Sequence, residues 1–317
     1  MPKTKILIDC DPGHDDAVAI LFAAKHLDLV GVTTVHGNNT LENTTRNGLA
    51  VLELGGIDVP LAAGCAEPLA QKSVGVATMH GKGGLDGAEI APPTRRPVDA
   101  HAVDFIIEMA QRHREELVIA TIGPETNIAM AIKREPRLRQ WVREITVMGG
   151  STTTGNYSPA AEFNIAGDVE AAWTVFESGI PLRMVGLNIT RRTGFDQGDI
   201  DRMRASGRRV AAVIADLMQF YLGRQQAGYG LNIAPMHDVC AIVPYVDDRL
   251  LQYLHTSARI ELTGTHTRGM TVCDVRHPKG SAEPSLRNRS EPNAQVAVEV
   301  RSRDLIDRVI DTLLDYD

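Results

Sequence analysis

Several features that would assign the chain to a special class of protein are scarce or missing. Its 317 residues contain four cysteines, which are far apart and form no CxxC pair. A zinc knuckle or a disulfide framework is therefore not expected, and a reducing cytoplasm is the expected location. No stretch of about 18 apolar residues occurs, and the apolar run before Asp9 is much shorter than that of a secretory signal. We expect a protein that neither spans a membrane nor is exported.

The charge of the sequence excludes one class of partner. The formal net charge is -7, and lysine and arginine form no run. Because binding to nucleic acid depends on clustered basic residues, a polynucleotide partner is not expected, and a small-molecule substrate fits better.

Hydrophobic residues make up 43% and charged residues 23% of the chain, which is ordinary for a globular protein. Since no Pro-rich linker or repeat divides the sequence, residues 1–317 are interpreted as a single domain.

What the sequence does contain is a regular alternation of short β-rich runs and segments of helical length. This rhythm predicts βαβ units and therefore an α/β fold, with an open, mostly parallel sheet and helices on both of its faces. Ligands of such folds bind at the carboxyl ends of the strands. We predict strands at 6–8, 29–35, 117–122, 144–148 and 182–185, and helices at 16–25, 41–54, 127–134, 169–176 and 304–314.

Two polar stretches containing glycine interrupt this rhythm, one at 75–87 and the other at 149–158. Neither has the composition of a core element, and we interpret both as functional loops. A polar surface loop followed by a helix would explain Ser151 to Thr154, but it would not explain Glu162 and Asn164. Their side chains can donate to and accept from sugar hydroxyls. On its residues alone, this region is a candidate sugar site.

The most informative segment is ILIDCDPGHDD near the start of the chain. Alternation along the first strand puts Asp9 and Asp11 on one face, and Asp15 and Asp16 follow at the start of the next helix. Four carboxylates at one sheet edge repel one another and need a cation, and oxygen ligands favour Ca²⁺ or Mg²⁺ over zinc. In simpler interpretations, Asp15 or Asp16 caps the helix and Asp9 holds the turn. Each explains one residue, but not all four.

The segment DCDPGHDD resembles the DxDPGxDD signature of the inosine-uridine preferring nucleoside hydrolases. The similarity continues along nearly the whole chain, in VHGNNT, MHGKGGL, IGPETN, GNYSPAAEFNI and PMHD. The resemblance implies a Rossmann-like nucleoside hydrolase fold with a mixed, mostly parallel sheet. It implies Ca²⁺-dependent cleavage of the N-glycosidic bond of a ribonucleoside, which yields ribose and the free base. A pyrimidine or inosine/uridine preference and a homodimer or homotetramer are implied as well.

Matching the motifs residue by residue implies a role for each polar position. The Ca²⁺ ligands would be the carboxylates of Asp11, Asp16 and Asp238 and the backbone carbonyl of Ile122. Asp11 would also be the catalytic base that deprotonates the metal-bound water. The ribose hydroxyls would contact Asp15, Asn38, Asn156, Glu162 and Asn164. The nucleobase would face His80, Gln225, Tyr229 and His237.

The proposed chemistry suits these residue types. Breaking the ribosyl C–N bond builds positive charge on the sugar and negative charge on the base, through an oxocarbenium-like transition state that nearby carboxylates stabilise. A histidine that titrates near neutrality can protonate the departing base. His237 suits this catalytic role best, because it adjoins Asp238. Without the resemblance, His80 would be interpreted as structural, and Gln225 and Tyr229 as part of an ordinary amphipathic helix.

Glu125 and Val169 depart from the family pattern. The sequence also leaves two other functions open. Glu125 stands where an apolar residue is usual, and Val169 where proline is common. The DxD of Asp9 and Asp11 would also fit a haloacid dehalogenase-like phosphatase, although no PGxDD turn follows it in that family. The second alternative is a non-catalytic protein that binds Ca²⁺ and a nucleoside. The presence of Asp11 beside the metal ligands argues against a purely binding role.

Overall fold

The computed structural model describes residues 3–72, 79–276 and 290–317. Its main sheet is built from β1 (Lys5–Cys10), β2 (Asp28–Thr34), β3 (Leu61–Ala63), β4 (Leu117–Thr121), β5 (Val142–Met148), β6 (Leu182–Val185), β9 (Leu251–Thr256) and β12 (Ala294–Val300). Two short pairs lie outside it, β7 (Gly194–Phe195) with β8 (Ala234–Pro235), and β10 (Ala258–Ile260) with β11 (Thr271–Cys273).

The eight strands of the main sheet follow the order β3-β2-β1-β4-β5-β6-β12-β9. Every neighbouring pair from β3 to β12 is parallel. The edge strand β9 runs antiparallel to β12. The sheet is therefore mixed and mostly parallel. Its order places the carboxyl ends of β1, β4 and β5 side by side, at the edge where α/β folds bind ligands.

The helices of the described residues cover both faces of this sheet. They are α1 (His14–His26), α2 (Leu41–Leu54), α3 (Ala102–Arg112), α4 (Thr126–Arg134), α5 (Leu138–Trp141), α6 (Phe163–Gly167), α7 (Val169–Phe176), α8 (Leu187–Thr190), α9 (Gln197–Ala205), α10 (Arg209–Tyr229), α11 (Val239–Ile242) and α12 (Ser302–Leu314). None of them is both long and apolar enough to cross a membrane.

The alternation of side chains along β1 divides the core into two layers. Ile6 and Ile8 pack on one face with residues of α1, α2, α10 and α12, whereas Leu7 packs on the other with residues of α3, α4 and α7. Because both faces are covered, the central strands are continuous apolar runs rather than alternating ones. The predicted α/β fold is confirmed.

The predicted bounds agree closely with the structure where the pattern was periodic. Helices α2 and α7 and strand β6 occupy the predicted ranges, while α1 begins at His14, two residues before the predicted start at 16. The stretch 149–158 contains no helix or strand. Part of the other predicted loop, 75–78, lies outside the described residues. All four cysteines are free thiols.

Candidate active site

A cavity of about 270 Å³ lies where β4 and β5 end and α1 begins. Its volume lies just below the range of about 300–1,000 Å³ for small-molecule sites. Most of the residues predicted for the site line it, namely Asp15, Asn38, His80, Ile122, Asn156, Glu162, Asn164, Gln225, Tyr229, His237 and Asp238. Segments far apart in the sequence thus meet at one small site.

Asp11 and Asp16 are buried beside the cavity without lining it, at 1% and 0% exposure. One oxygen of each is held by a backbone N–H. Asp11 Oδ2 accepts from Asn38 at 2.6 Å, and Asp16 Oδ2 accepts from Gly13 at 2.9 Å. The other oxygen of each, Oδ1, is buried without a hydrogen-bond partner. Asp16 therefore does cap helix α1, as the simpler interpretation held, but with one oxygen only.

Three carboxylates converge next to the cavity, because one oxygen each of Asp15, Asp16 and Asp238 lies within 4.8 Å of the other two. Burial, together with repulsion from Asp16, raises the pKa of Asp15 to about 8. Burial raises the pKa of Asp16 to about 6 and, with repulsion from neighbouring acids, raises the pKa values of Asp238 and Asp11 well above normal. Buried acids this close cannot all be ionised without a cation.

These residues fit a hard divalent cation. The unpartnered oxygens of Asp11 and Asp16 need a ligand, and carboxylate oxygens are the donors that Ca²⁺ and Mg²⁺ prefer. One detail differs from the predicted ligand set. The three carboxylates that meet within 4.8 Å include Asp15 rather than Asp11, although Asp11 lies close enough to Asp16 for repulsion to raise its pKa.

The carbonyl of Ile122 faces the side chain of Asn164. The amide nitrogen of Asn164 donates to the carbonyl oxygens of Ile122 at 2.9 Å and Met148 at 3.0 Å. A carbonyl oxygen has two acceptor sites, so Ile122 keeps one for a cation. Because both amide hydrogens of Asn164 are used, its Oδ1 is the atom left for a sugar hydroxyl.

Glu162 and Asn156 are also held by the main chain on one side. Glu162 is the N-cap of α6, and its Oε2 accepts from the N–H groups of Gly150 and Ile165, both at 3.1 Å. Asn156 Oδ1 accepts from the N–H of Phe163 at 2.8 Å. Glu162 therefore offers Oε1 as an acceptor, while Asn156 offers Nδ2 as a donor. Such fixed, complementary groups can orient the hydroxyls of a sugar.

One face of α10 forms another wall of the cavity. Tyr221, Gln225 and Tyr229 follow one another at intervals of four residues, which places them on the same side of the helix. Gln225 is buried, whereas Tyr229 is 54% exposed at the helix end. The ring of His80 stacks on Tyr221, with centroids 5.2 Å apart. Aromatic and amide groups of this kind suit a planar base.

Two histidines line the cavity, and burial favours the neutral form of both. Burial, followed by the positive charge of Arg191, lowers the pKa of His237 to about 4. The expectation that His237 titrates near neutrality is therefore wrong. Burial lowers the pKa of His80 well below normal. The Nδ1 atom of His80 is 2.9 Å from Nδ1 of His14, and Nδ1 of His237 is 2.6 Å from Thr190 Oγ1. Each histidine is thus fixed through one ring nitrogen.

Asp9 is not one of the three converging carboxylates. Its Oδ1 accepts from Thr33 Oγ1 at 2.6 Å and from Asn127 Nδ2 at 2.8 Å. These bonds connect β1 to β2 and to α4. Burial raises the pKa of Asp9 to about 7. The contacts agree with the interpretation in which Asp9 supports the structure below the site.

Five residues that line the cavity were absent from the prediction, namely Met79, Met148, Tyr157, Phe163 and Tyr221. Tyr221 could have been found, because it lies four residues before Gln225 on a helical pattern. Tyr157 and Phe163 adjoin the predicted Asn156 and Glu162. No local pattern distinguishes the two methionines from ordinary core residues.

The chain is similar to known proteins along most of its length. Residues 6–307 match the family described as inosine-uridine preferring nucleoside hydrolase. The pyrimidine-specific ribonucleoside hydrolase RihB of Escherichia coli O1:K1 / APEC is 40% identical over 276 residues, which cover 86% of this chain and 88% of the relative. A purine-preferring ribonucleoside hydrolase from Gardnerella vaginalis has a TM-score of 0.89 at 31% identity, with 98% of each chain covered. The plant nucleoside hydrolase PpNRh1 has a TM-score of 0.90 at 30% identity, with 99% of this chain and 100% of the other covered.

The fold, the site and these relatives define an enzyme that acts on N-glycosyl bonds. The chain belongs to the inosine-uridine preferring nucleoside hydrolase family. The resemblance inferred from the DxDPGxDD segment is therefore confirmed. Membership of this family decides against the haloacid dehalogenase-like phosphatase and against the non-catalytic binding protein.

Proposed function

We propose that the protein is a Ca²⁺-dependent ribonucleoside hydrolase with a preference for pyrimidine nucleosides. The observation that carries the Ca²⁺ dependence is the set of buried carboxylates beside the cavity, in which Asp11 and Asp16 each keep an unpartnered oxygen. Asp11, Asp16, Asp238 and the carbonyl of Ile122 would hold the cation. When bound there, Ca²⁺ would fix two ribose hydroxyls and polarise the attacking water.

The residues of the chain itself would bind and orient the sugar. The free atoms of Asn164, Glu162 and Asn156 are two acceptors and one donor, held rigidly by backbone contacts. Asp15 and Asn38 line the same cavity and would contact the remaining hydroxyl oxygens. Because the transition state places positive charge on the ribose, the carboxylates would stabilise the transition state more than the ground state.

Proton movement is assigned to Asp11 and His237. The unpartnered Oδ1 of Asp11 would take a proton from the attacking water, while Asn38 holds Oδ2 in place. On the opposite side of the scissile bond, His237 would direct a hydrogen toward the departing base. His80, Gln225 and Tyr229 would contact the base and fix its plane.

The pyrimidine preference rests on the relative from Escherichia coli, which is described as pyrimidine-specific and is 40% identical. Another relative is described as purine-preferring, so the preference follows the side chains around the base rather than the fold.

Residues 1–317 are proposed as a single domain, because the main sheet takes strands from both ends of the chain. A homodimer or homotetramer in the cytoplasm, as inferred from the sequence, completes the proposal.

The test is direct measurement of free ribose from uridine, cytidine, inosine and adenosine, before and after chelation and after Ca²⁺ is added back. We expect ribose from uridine and cytidine, loss of activity with chelator and recovery with Ca²⁺. Asp11→Ala should lower kcat by about 100- to 10,000-fold, the usual contribution of a general base, while the circular dichroism spectrum stays that of a folded protein. Absence of ribose from all four nucleosides would contradict the proposed reaction.

A further inference from the structure

Thr190, the last residue of α8, makes a close side-chain contact with His237. Its Oγ1 lies 2.6 Å from Nδ1 of the imidazole, and Thr190 is 0% exposed. Within the described part of the chain, this hydroxyl has no other hydrogen-bond partner. A buried hydroxyl whose hydrogen is left unpaired is unfavourable, because its desolvation is not compensated. The geometry therefore requires the hydroxyl of Thr190 to donate to Nδ1 of His237.

This direction of the hydrogen bond determines where the hydrogen of the imidazole lies. A neutral imidazole carries one N–H, and an Nδ1 atom that accepts must be the bare nitrogen, so the hydrogen lies on Nε2. If the ring takes up a second proton, Nδ1 becomes a donor and Thr190 rotates to accept, while Nε2 keeps its hydrogen. Nε2 therefore carries a hydrogen in both protonation states, and the result does not depend on the pKa of the ring.

Both partners of this contact are held by surrounding main-chain structure. The N–H of Thr190 donates to the carbonyl of Gly186 at 3.1 Å, and a β-branched threonine has few side-chain rotamers in a helix. The chain just before His237 forms strand β8, which pairs with β7 shortly after α8. The N–H of Met236 also donates to the carbonyl of Thr193 at 2.8 Å. Small displacements of either side chain are therefore restricted.

We propose that Thr190 is a positioning residue, which sets the tautomer of His237 so that Nε2–H faces the departing nucleobase. The inference rests on the proposed function, in which His237 lies on the base side of the scissile bond. His237 lines the cavity and Thr190 occupies its Nδ1, so Nε2 is the ring nitrogen left for a ligand. The departing base accumulates negative charge, which an N–H stabilises and a bare nitrogen would repel.

The test compares variants with and without the hydroxyl. Thr190→Val keeps the shape of the side chain but removes the donor, and Thr190→Ser keeps the donor. We expect Thr190→Val to lower kcat for uridine by about 10- to 100-fold, at the lower end of general acid contributions, with KM changed by less than about 3-fold. Hydrolysis of p-nitrophenyl riboside should change by less than about 3-fold, because nitrophenolate is a weakly basic, stable anion that leaves without the help of a hydrogen-bond donor. Thr190→Ser should restore uridine turnover.

A matched control is Thr193→Val. Thr193 is equally buried and donates to the carbonyl of Ile189 at 3.2 Å, but its hydroxyl has no contact with His237, so uridine turnover should persist. Equal losses on uridine and p-nitrophenyl riboside in Thr190→Val would overturn the proposal, as would an unchanged kcat for uridine or a failure of Thr190→Ser to restore it.

A spectroscopic measurement tests the same point without turnover. In the nitrogen NMR spectrum of the full-length protein labelled on histidine, the resonances that disappear in His237→Gln belong to this ring. We expect the pattern of a bare Nδ1 and a protonated Nε2, and a protonated Nδ1 with a bare Nε2 would overturn the assignment. If the wild-type protein released no ribose, the proposed function would fail, while this spectrum would still decide the role of Thr190.

Discussion

Asn164 and Ile122 are joined by a hydrogen bond of 2.9 Å, from the side-chain amide of Asn164 to the carbonyl predicted to bind the cation. The second amide hydrogen reaches the carbonyl of Met148. One side chain thus connects the ends of β4 and β5 and restricts a cation ligand. Asn164 has a structural function in addition to the predicted contact with ribose.

Asn164→Asp should therefore impair both binding and stability. A carboxylate would place oxygen against two carbonyl oxygens, and each buried acceptor left unpaired costs about 1–3 kcal/mol. We expect kcat/KM for uridine to fall by about 10- to 100-fold, which corresponds to this free-energy cost of about 1–3 kcal/mol. The midpoint of urea unfolding should also decrease. Steady-state kinetics and urea titration provide the two measurements.

Asn293→Asp is the control that separates the loss of stability from the loss of substrate binding. Asn293 likewise donates to two carbonyls, those of Phe176 and Ala258, both at 2.9 Å, but it does not line the cavity. This variant should lose stability to a similar extent and keep the KM of the wild-type protein. If Asn164→Asp also kept the wild-type KM and kcat, the proposed contact between Asn164 and the substrate would be wrong.

Ca²⁺ should stabilise the fold through Asp16. Ligand present at about 100 times its Kd raises the free energy of unfolding by about 2.7 kcal/mol when it binds the folded state alone. Asp16→Asn should abolish this gain, because the unpartnered Oδ1 would no longer be a carboxylate oxygen. Without Ca²⁺, the same variant should be at least as stable as the wild-type protein, since repulsion with Asp15 and Asp238 is reduced. Thermal unfolding with and without Ca²⁺ measures both effects.

Asp199→Asn is the matched control for Asp16→Asn. Asp199 occupies the corresponding position at the start of α9, where its carboxylate accepts from the N-cap N–H of Asp196 at 3.2 Å. This variant should lose some stability and retain the full response to Ca²⁺. An Asp16→Asn protein that responded to Ca²⁺ as strongly as the wild type would remove Asp16 from the ligand set.

The sequence predicted most of the residues that line the cavity and the fold class, but only part of the element bounds and strand pairing. Periodic segments such as α2 and α7 gave correct bounds, because their apolar positions repeat along the chain. The pairing of β12 with β9 could not be predicted, since their antiparallel contact joins strands from distant parts of the sequence. Helix α3 was missed although its buried face, which includes Val103, Ile106 and Met109, follows helical spacing.

At the site, residue types were predictable and their hydrogen-bond directions were not. The DxDPGxDD segment indicated acids near a cation, but only the three-dimensional contacts show that Asp16 shares one oxygen with Gly13 and leaves the other free. Likewise, the sequence suggested a supporting role for Asp9, but not that Thr33 and Asn127 would be its partners. Such contacts depend on packing between distant segments rather than on local pattern.

Glu125 should be a pH-dependent source of instability. Its side chain is 0% exposed, and neither oxygen has a hydrogen-bond partner. Burial, with repulsion from Glu162, Asp168 and Asp9, raises its pKa well above the ordinary value of 4.5. Below pH 4.5, Glu125 is protonated in both the folded and the unfolded state and does not lower the stability. As the pH rises from 4.5 to the folded-state pKa, the unfolded state ionises more readily, so the free energy of unfolding falls.

Glu125→Gln should consequently be more stable than the wild-type protein at pH 8, by on the order of 2 kcal/mol, the cost of a buried charged group without partners. The difference should decrease as the pH is lowered toward the unfolded-state pKa. Urea unfolding at several pH values measures it. Glu89→Gln changes an exposed glutamate and should leave stability unaltered across the same range. A difference that stayed constant with pH would contradict the assignment to Glu125.

Arg191 should hold the loop that contributes Asn156 to the cavity. Its Nη1 donates to Thr154 Oγ1 at 2.9 Å and its Nη2 to the carbonyl of Gly155 at 2.6 Å. Hydrogen bonds from a charged group contribute about 1.5–3 kcal/mol, so Arg191→Met should raise KM for uridine by about 10-fold with a smaller effect on kcat. Arg192→Met removes the neighbouring guanidinium, which instead binds Glu299, and should leave KM unchanged.

Arg191→Lys separates the hydrogen bonds that the guanidinium makes to the loop from the effect of its positive charge on His237. The positive charge of Arg191 contributes to the lowered pKa of His237, and lysine keeps that charge while losing the planar pair of donors. Both substitutions should raise KM, because both release the loop. Only Arg191→Met should also move the pH dependence of kcat that belongs to His237 toward higher pH, since removing a nearby positive charge makes the imidazole easier to protonate. A pH profile that moved equally in both variants would show that the loop, rather than the charge, controls His237.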